Sequence, residues 1–473
     1  MVMNALSYSE IVRKYPPVPQ EGLRGAILSL LRRNRVKIVV LDDDPTGIQT
    51  VQGNYLLTNW APENVVAALE DEVPFFYLLT NTRAVTAAVA ETIVRDAVQA
   101  VLAANRGLGY RLVFVSRSDS TLRGHFPLEP EIVRETVAKQ GIPMEWPIVF
   151  TPAFFEAGRY TVGGIHYMKD GDSLVPVSET EFARDNVFGY TQSGLADYIR
   201  EKSGGCISRE QVGHIGLEEL RCCSSDDLAE KINGFRDKSY IALDAFDYGD
   251  LRKFAVAWLG LFVKSDGYAL LRTSSSMPKA LSGIADRPLL DGSALASGRT
   301  GGLFIVGSHV RKTTTQLGRL LAAPGVQGVE VDIHEVLCAP GELFGRVEEE
   351  LLAIHEKGDV PVVYTSRQEL RLDDVAERQR VGQRISAFLV DVVRGLRFQP
   401  AYLVAKGGIT SHDILTEGLG IERVRVWGQV LPGVPAVITD LENRFPEMPY
   451  IIFPGNVGSE DALKDVFERL KNV

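Results

Sequence analysis

Arg111-Leu-Val-Phe-Val115 runs straight into Ser116-Arg-Ser-Asp-Ser-Thr-Leu-Arg-Gly-His-Phe-Pro127. The first part is apolar and β-branched or aromatic, which predicts a strand. The second places two arginines, one acid and five hydroxyl or imidazole side chains in the ten positions 116–125. Arg117 and Arg123 can each fork onto a carboxylate. Asp119, Ser118, Ser120 and Thr121 can exchange hydrogen bonds with hydroxyls. A polar loop standing alone after a strand is more often a helix cap, so the functional reading depends on what surrounds it.

Working outward, Val36-Lys-Ile-Val-Val-Leu41 ends in Asp42-Asp43-Asp44-Pro45-Thr46-Gly47. Val73-Pro-Phe-Phe-Tyr-Leu-Leu79 ends in Thr80-Asn81-Thr82-Arg83, and Pro147-Ile-Val-Phe150 in Thr151-Pro152. Helical spacing over 85–104 and 129–139 separates these runs. Near-continuous apolar runs divided by helices predict a parallel sheet covered on both faces. Ligands of such sheets lie beyond the carboxyl ends of the strands. Residues 42–46, 80–83, 116–123 and 151–159 are therefore expected to line one pocket.

Residues 160–210 are less regular. A helix is predicted over 228–235 and a strand over Tyr240-Ile-Ala-Leu243. The Gly-, Ser-, Pro- and Ala-rich stretch 280–302 reads as a linker, and the domains are set at 1–275 and 276–473. The βα alternation then restarts, with strands over 303–306, 328–332, 360–364, 401–405 and 450–453. Helices are predicted over 313–321, 374–396 and from about Asp413. The expected fold is α/β with two domains, each a largely parallel sheet flanked by helices, and an active site in the cleft between them.

Composition bounds the function. The 473 residues are 45% hydrophobic and 24% charged, as in soluble globular proteins, with a net charge of −10. That charge argues against nucleic acid or an anionic membrane as partner. No basic-then-apolar leader and no membrane-length apolar run are read, and the four cysteines show no C-x-x-C spacing. A cytoplasmic protein is expected.

Asp42-Asp43-Asp44 crowds like charges, so one carboxyl can titrate high and act as a base. Alternatively the three hold hydrated Mg²⁺, or one simply caps the Pro45–Gly47 turn. In the second half, Gly407-Gly408-Ile409-Thr410-Ser411 lies between a strand and a helix, where glycines admit a phosphate close to the backbone. Gly307-Ser308 and Gly455…Gly458 stand in the same relation to their strands. No Walker A loop, G-x-G-x-x-G fingerprint or G-x-S-x-G elbow occurs.

The ordered motifs resemble those of the four-carbon acid sugar kinases. They are Asp43-Asp44-Pro45-Thr46-Gly47, Asp119-Ser120-Thr121-Leu122-Arg123-Gly124, Pro152-Ala153…Gly158-Arg159-Tyr160-Thr161-Val162-Gly163-Gly164, Gly307-Ser308, Gly407-Gly408-Ile409-Thr410 and Gly455-Asn456-Val457-Gly458. Two positions depart from the family pattern. Ile409 stands where an acid is usual, and His309-Val310 where Cys-Ser is usual.

The resemblance implies a sugar-acid-binding first domain, a nucleotide-binding second domain and ATP-dependent phosphorylation of a small sugar acid with Mg²⁺. Arg117 and Arg123, with Arg159, are expected to hold the acid's carboxylate. Thr46, Arg83, Asp119 and Ser120 are expected around its hydroxyls, with Asp43 or Asp44 as the base. Ser308, Gly407, Gly408, Thr410 and Gly455 are expected around ATP. A homodimer is compatible with this reading. The alternative class is a non-catalytic regulator that binds sugar acid and nucleotide.

Overall fold

A computed structural model describes residues 6–285, 287–295, 301–367, 375–455 and 457–471. Asn456, Asp374 and part of the linker stretch lie outside them. The chain divides into two units, Met1–Asp286 and Arg287–Val473. The helix Ser276–Ser282 belongs to the first.

The first unit contains, in chain order, β1 (Leu6–Ser7), β2 (Val36–Asp42), β3 (Tyr55–Leu57), β4 (Phe75–Leu79), β5 (Arg111–Arg117), β6 (Ile148–Thr151), β7 (Arg159–Val162), β8 (Ile165–Asp170), β9 (Ser173–Pro176), β10 (Val212–Ile215), β11 (Tyr240–Leu243) and β12 (Ala269–Thr273). Eight of these form a parallel sheet in the order β10-β11-β6-β12-β5-β2-β4-β3. Both faces are covered, which is why β2 and β4 are buried at every position. On one face Val39, Leu41, Phe76 and Phe114 pack with Val94, Val98 and Val101 of the helix Ala87–Asn105 and with Ile132 and Val133 of Leu128–Ala138. The helices Leu23–Arg33 and Tyr248–Phe262 pack on each other.

Two features depart from the sequence reading. The strand β12 lies between β5 and β6. The irregular region holds a small antiparallel sheet in the order β1-β9-β8-β7. The chain order reverses about β2, with β4 on one side and β5 on the other, so the loops after these strands converge as a switch point does.

The second unit contains β13 (Leu303–Val306), β14 (Val326–Val331), β15 (Val360–Thr365), β16 (Leu403–Lys406), β17 (Arg423–Leu431), β18 (Val434–Ile438) and β19 (Pro449–Phe453). Their order is β17-β18-β19-β16-β13-β15-β14, with β17 and β18 antiparallel to their neighbours and the rest parallel. The helix expected from Asp413 begins earlier, at Gly408, and passes into a wider turn over Ile414–Gly418.

Candidate functional site

The carboxyl ends of β2, β4, β5 and β12 meet in one charged cluster. Asp42 and Asp43 are buried, and Asp44 is partly exposed. Arg117 Nη1 lies 3.0 Å from Asp42 Oδ1 and its Nη2 donates to Ser275 Oγ at 2.8 Å. Arg83 pairs with Asp44 and, at 3.2 Å, with Asp119. Arg123 Nε donates to Asp119 Oδ2 at 2.8 Å. Thr46 donates through its backbone N–H to Asp44 Oδ1 at 2.7 Å, the Asx turn that Pro45 and Gly47 favour.

This geometry bears on two expectations. Arg117 is 4% exposed; Asp42 and Ser275 engage its two terminal nitrogens, while its Nε has no hydrogen-bond partner. The three aspartates do not form a cage for hydrated Mg²⁺. Arg83 and Arg117 already interleave with them.

The three acids differ in protonation. Burial pushes Asp42 up to about 7 against the pull of Arg117. Burial likewise raises Asp43, against Arg83. Burial also opposes the charge on Asp44, yet Arg83, Arg117 and the Thr46 hydrogen bonds outweigh it and hold that carboxyl low. Asp43 Oδ2 accepts from Ser118 Oγ at 2.5 Å. Its Oδ1 accepts no hydrogen bond and faces Arg117 Nη1 at 3.7 Å and Arg83 Nη2 at 3.9 Å. A raised carboxyl with one uncommitted oxygen is what a proton acceptor needs.

Gly47 covers Asp42 so closely that an added Cβ would overlap the carboxylate. Gly47→Ala is therefore expected to cost about 2–4 kcal/mol. A lowered urea-unfolding midpoint measures it, and an unchanged midpoint contradicts the close contact.

The loop 118–124 is held from outside the main sheet. Leu122 has φ 65°, and its carbonyl accepts from Tyr198 Oη at 2.7 Å. His166 on β8 is fully buried; Nε2 donates to the Ser120 carbonyl at 2.8 Å and Nδ1 accepts from Thr161 Oγ1 at 3.0 Å. Ser120 is itself 8% exposed. Burial pushes His166 down to about 4 from 6.5.

The unfolded chain thus binds the His166 proton more readily between these values. Stability from this group is complete above pH 6.5 and is lost as the pH falls to 4, by up to about 3 kcal/mol. Melting temperature against pH is expected to fall more steeply in wild type than in His166→Gln. Parallel curves would remove His166 from the acid response.

Arg159, at the start of β7, stands beside Arg123. Both guanidiniums lie against the Phe182 ring, at 4.9 Å for Arg123 and 5.9 Å for Arg159. Arg159 Nε is buried without a hydrogen-bond partner. Burial lowers the Arg159 pKa and the charge of Arg123 adds to it, against Asp119. Two guanidiniums in this state favour an incoming anion.

Three groups of this site escaped the sequence reading: Thr273, Ser275 and Phe182. The first two lie at the end of β12, where the Thr273 carbonyl accepts from Ser118 N–H at 2.9 Å. The readable signal was Ala269-Leu-Leu-Arg-Thr followed by three serines.

In the second unit, Ser308, Gly407, Thr410 and Gly455 come together. A Cβ on Gly407 would lie 3.1 Å from Ser308 Cβ, one on Gly307 would overlap Thr410 Oγ1, and one on Gly455 would lie 3.8 Å from Ser308 Oγ. Gly407 has φ 119°, a conformation open to glycine. Gly408 opens the helix, with open space where its side chain would be. Thr410 stands inside that helix, and Ser411 Oγ donates to the Ala405 carbonyl at 2.8 Å, so neither caps it. Ile409 is 65% and Val310 38% exposed.

Lys406, which the sequence reading passed over, ends β16 fully buried. Its Nζ donates to the carbonyls of Pro454 at 2.6 Å and Gly455 at 3.1 Å. Burial pushes it down to about 7, and Lys312 adds repulsion.

Comparison with known proteins gives these two units a class. Residues 38–281 match the sugar-binding N-terminal domain family, and residues 303–463 the nucleotide-binding C-terminal domain family. The chain belongs to the four-carbon acid sugar kinase family. Over 339 residues it is 24% identical to the 3-oxo-tetronate kinase of Cupriavidus necator, covering 67% of this chain and 70% of that one.

Two solved structures share the fold. A Haemophilus influenzae protein of the DUF1537 family aligns with TM-score 0.63 and 15% identity over 91% of this chain and all of its own. A Salmonella typhimurium LT2 protein, described as a candidate tRNA synthase, aligns with TM-score 0.65 and 17% identity over 91% of this chain and 98% of its own. No described helix is long and apolar enough to cross a membrane.

Proposed function

We propose that the protein is an ATP-dependent kinase that phosphorylates a hydroxyl of a small sugar acid of about four carbons, such as a tetronate or oxo-tetronate. The observation that carries this is the pairing of Arg123 and Arg159 on the Phe182 ring, in a unit whose strand ends also hold a buried carboxyl, Asp43, with one oxygen that accepts no hydrogen bond. It occurs in a chain of the sugar-acid kinase family whose second unit matches a nucleotide-binding domain.

In this reading Arg123 and Arg159 receive the substrate carboxylate. Asp119, Arg83 and Thr46 orient the hydroxyls. Asp43 takes the proton from the attacking hydroxyl as it meets the γ-phosphate. The glycine turns at Gly407-Gly408 and Gly455, with Ser308 and Thr410, hold the nucleotide. Lys406 fixes the Gly455 turn through two carbonyls.

Phosphoryl transfer is mainly positioning and charge stabilisation. No group of three or more His, Cys, Asp or Glu side chains that could hold a metal occurs among the described residues. Magnesium is therefore proposed only as the companion of the nucleotide's phosphates, where one or two carboxylates suffice and the ion offsets phosphate charge.

The test is phosphate-product formation from ATP with four- and five-carbon aldonates and their oxo forms. Turnover of at least one is expected. None turned over would overturn the kinase reading, and ligand-induced stabilisation without turnover would favour a regulator.

A further inference from the structure

Phe182 and Asp185 have no part in the reading above, yet both touch its arginines. They lie in and just after a short turn, Glu181–Arg184, that follows the small antiparallel sheet. Phe182 is partly exposed. Its ring takes the Arg123 guanidinium at 4.9 Å and the Arg159 guanidinium at 5.9 Å. Both distances are within the range of cation–π attraction.

Without such a platform two like charges this close would splay apart. Their shared acid, Asp119, is already divided between Arg123 and Arg83. Asp185 supplies a further carboxylate, with Oδ2 3.8 Å from Arg123 Nη1. It is held there because Oδ1 accepts from its own turn, from Val187 N–H at 2.8 Å and Phe188 N–H at 2.9 Å.

We propose that Phe182 is a positioning residue that holds Arg123 and Arg159 side by side as a two-pronged receptor for the substrate carboxylate, and that Asp185 is an internal carboxylate competing for Arg123. The proposal rests on the acid-binding reading above and names the feature that makes it selective for acids over neutral polyols. Both guanidiniums lie near one ring centroid, at 4.9 and 5.9 Å, and forked donors brought this near each other suit the two oxygens of a single carboxylate. Asp185 sets the baseline affinity, because an incoming acid must outcompete it.

The experiment measures steady-state kinetics with L-threonate, D-threonate and D-erythronate, and binding of the same acids by titration calorimetry, with erythritol as the neutral control. Phe182→Ala is expected to raise KM for the acid roughly ten-fold, with kcat and the KM for ATP unchanged. Phe182→Tyr, which keeps the ring, is expected to restore it. Asp185→Asn is expected to lower the acid KM by about two- to five-fold.

Three results overturn the proposal: Phe182→Ala with wild-type acid KM, Phe182→Tyr as impaired as Phe182→Ala, or a loss confined to kcat. Calorimetry separates the two levels. Wild type that binds none of the acids removes the acid-binding reading and this proposal with it. Wild type that binds them as tightly as Phe182→Ala does removes the role of Phe182 alone.

Discussion

Asp43→Asn is expected to lower kcat by about 10²–10⁴-fold, the usual contribution of a positioned proton acceptor. The amide keeps the shape of the carboxyl and still accepts from Ser118 Oγ, the bond made by Asp43 Oδ2. What it loses is the ability to take a proton at the atom that now lacks a hydrogen-bond partner, Oδ1. The KM for ATP is expected to stay within about two-fold, because the change affects only the transition state.

Protonation supplies a second reading of the same variant. Burial holds the Asp43 carboxyl above the ordinary carboxylate range, against Arg83. The base works only when ionised. The wild-type rate is therefore expected to fall, as pH decreases, at a higher pH than an exposed aspartate would give. In Asp43→Asn that limb should disappear from the residual rate. A variant keeping more than about a tenth of wild-type kcat would fall outside the expected range. It would transfer the role to Asp44, whose carboxyl Arg83 and Thr46 hold low despite burial.

Gly407→Ala is expected to raise the KM for ATP by roughly ten- to hundred-fold while leaving acid binding to the first unit intact. At φ 119° an L side chain is strained, by about 1–3 kcal/mol. The new Cβ would also press on Ser308, 3.1 Å from its Cβ and 3.3 Å from its backbone N. Relief by rotating the turn would carry Gly408 and Thr410 out of place, since both follow directly in the same helix. Nucleotide binding measured by calorimetry isolates the effect from turnover. Wild-type ADP affinity in this variant would take the Gly407 turn out of the nucleotide site.

The parallel sheets were legible because strands buried on both faces carry runs that are apolar without interruption, as Ile38–Leu41 and Leu303–Val306 are. The strand β12 was not, for a physical reason. Arg272 interrupts it, and the charge is neutralised inside the fold by Glu129 at 2.6 Å, a residue 143 positions earlier. The same remoteness concealed the fate of Arg117. Its partner Ser275 lies 158 residues on, a contact that proximity along the sequence does not reveal.

The strands β7 to β9 are short and turn on Gly163-Gly164 and Gly171, which read as irregular chain. Phe182 was hidden with them. Asp43, Asp44, Asp119 and Arg123 were legible as a set because each ends or follows a strand of one parallel sheet, where such ends converge.

The segment that carries Phe182 is fastened to the rest of the first unit largely through main-chain atoms. Asp244 at the end of β11 accepts from the N–H groups of Gly163 and Gly164 at 2.7 and 2.8 Å, and His166 and Tyr198 grip the carbonyls of Ser120 and Leu122. Anchors of this kind depend little on which side chains lie between them. Mutation of Phe182 or Asp185 can therefore change how Arg123 and Arg159 are held while leaving the contacts of Asp43 in place. Under the proposed function, such a layout lets preference among related acids drift over evolutionary time while the chemistry is inherited unchanged.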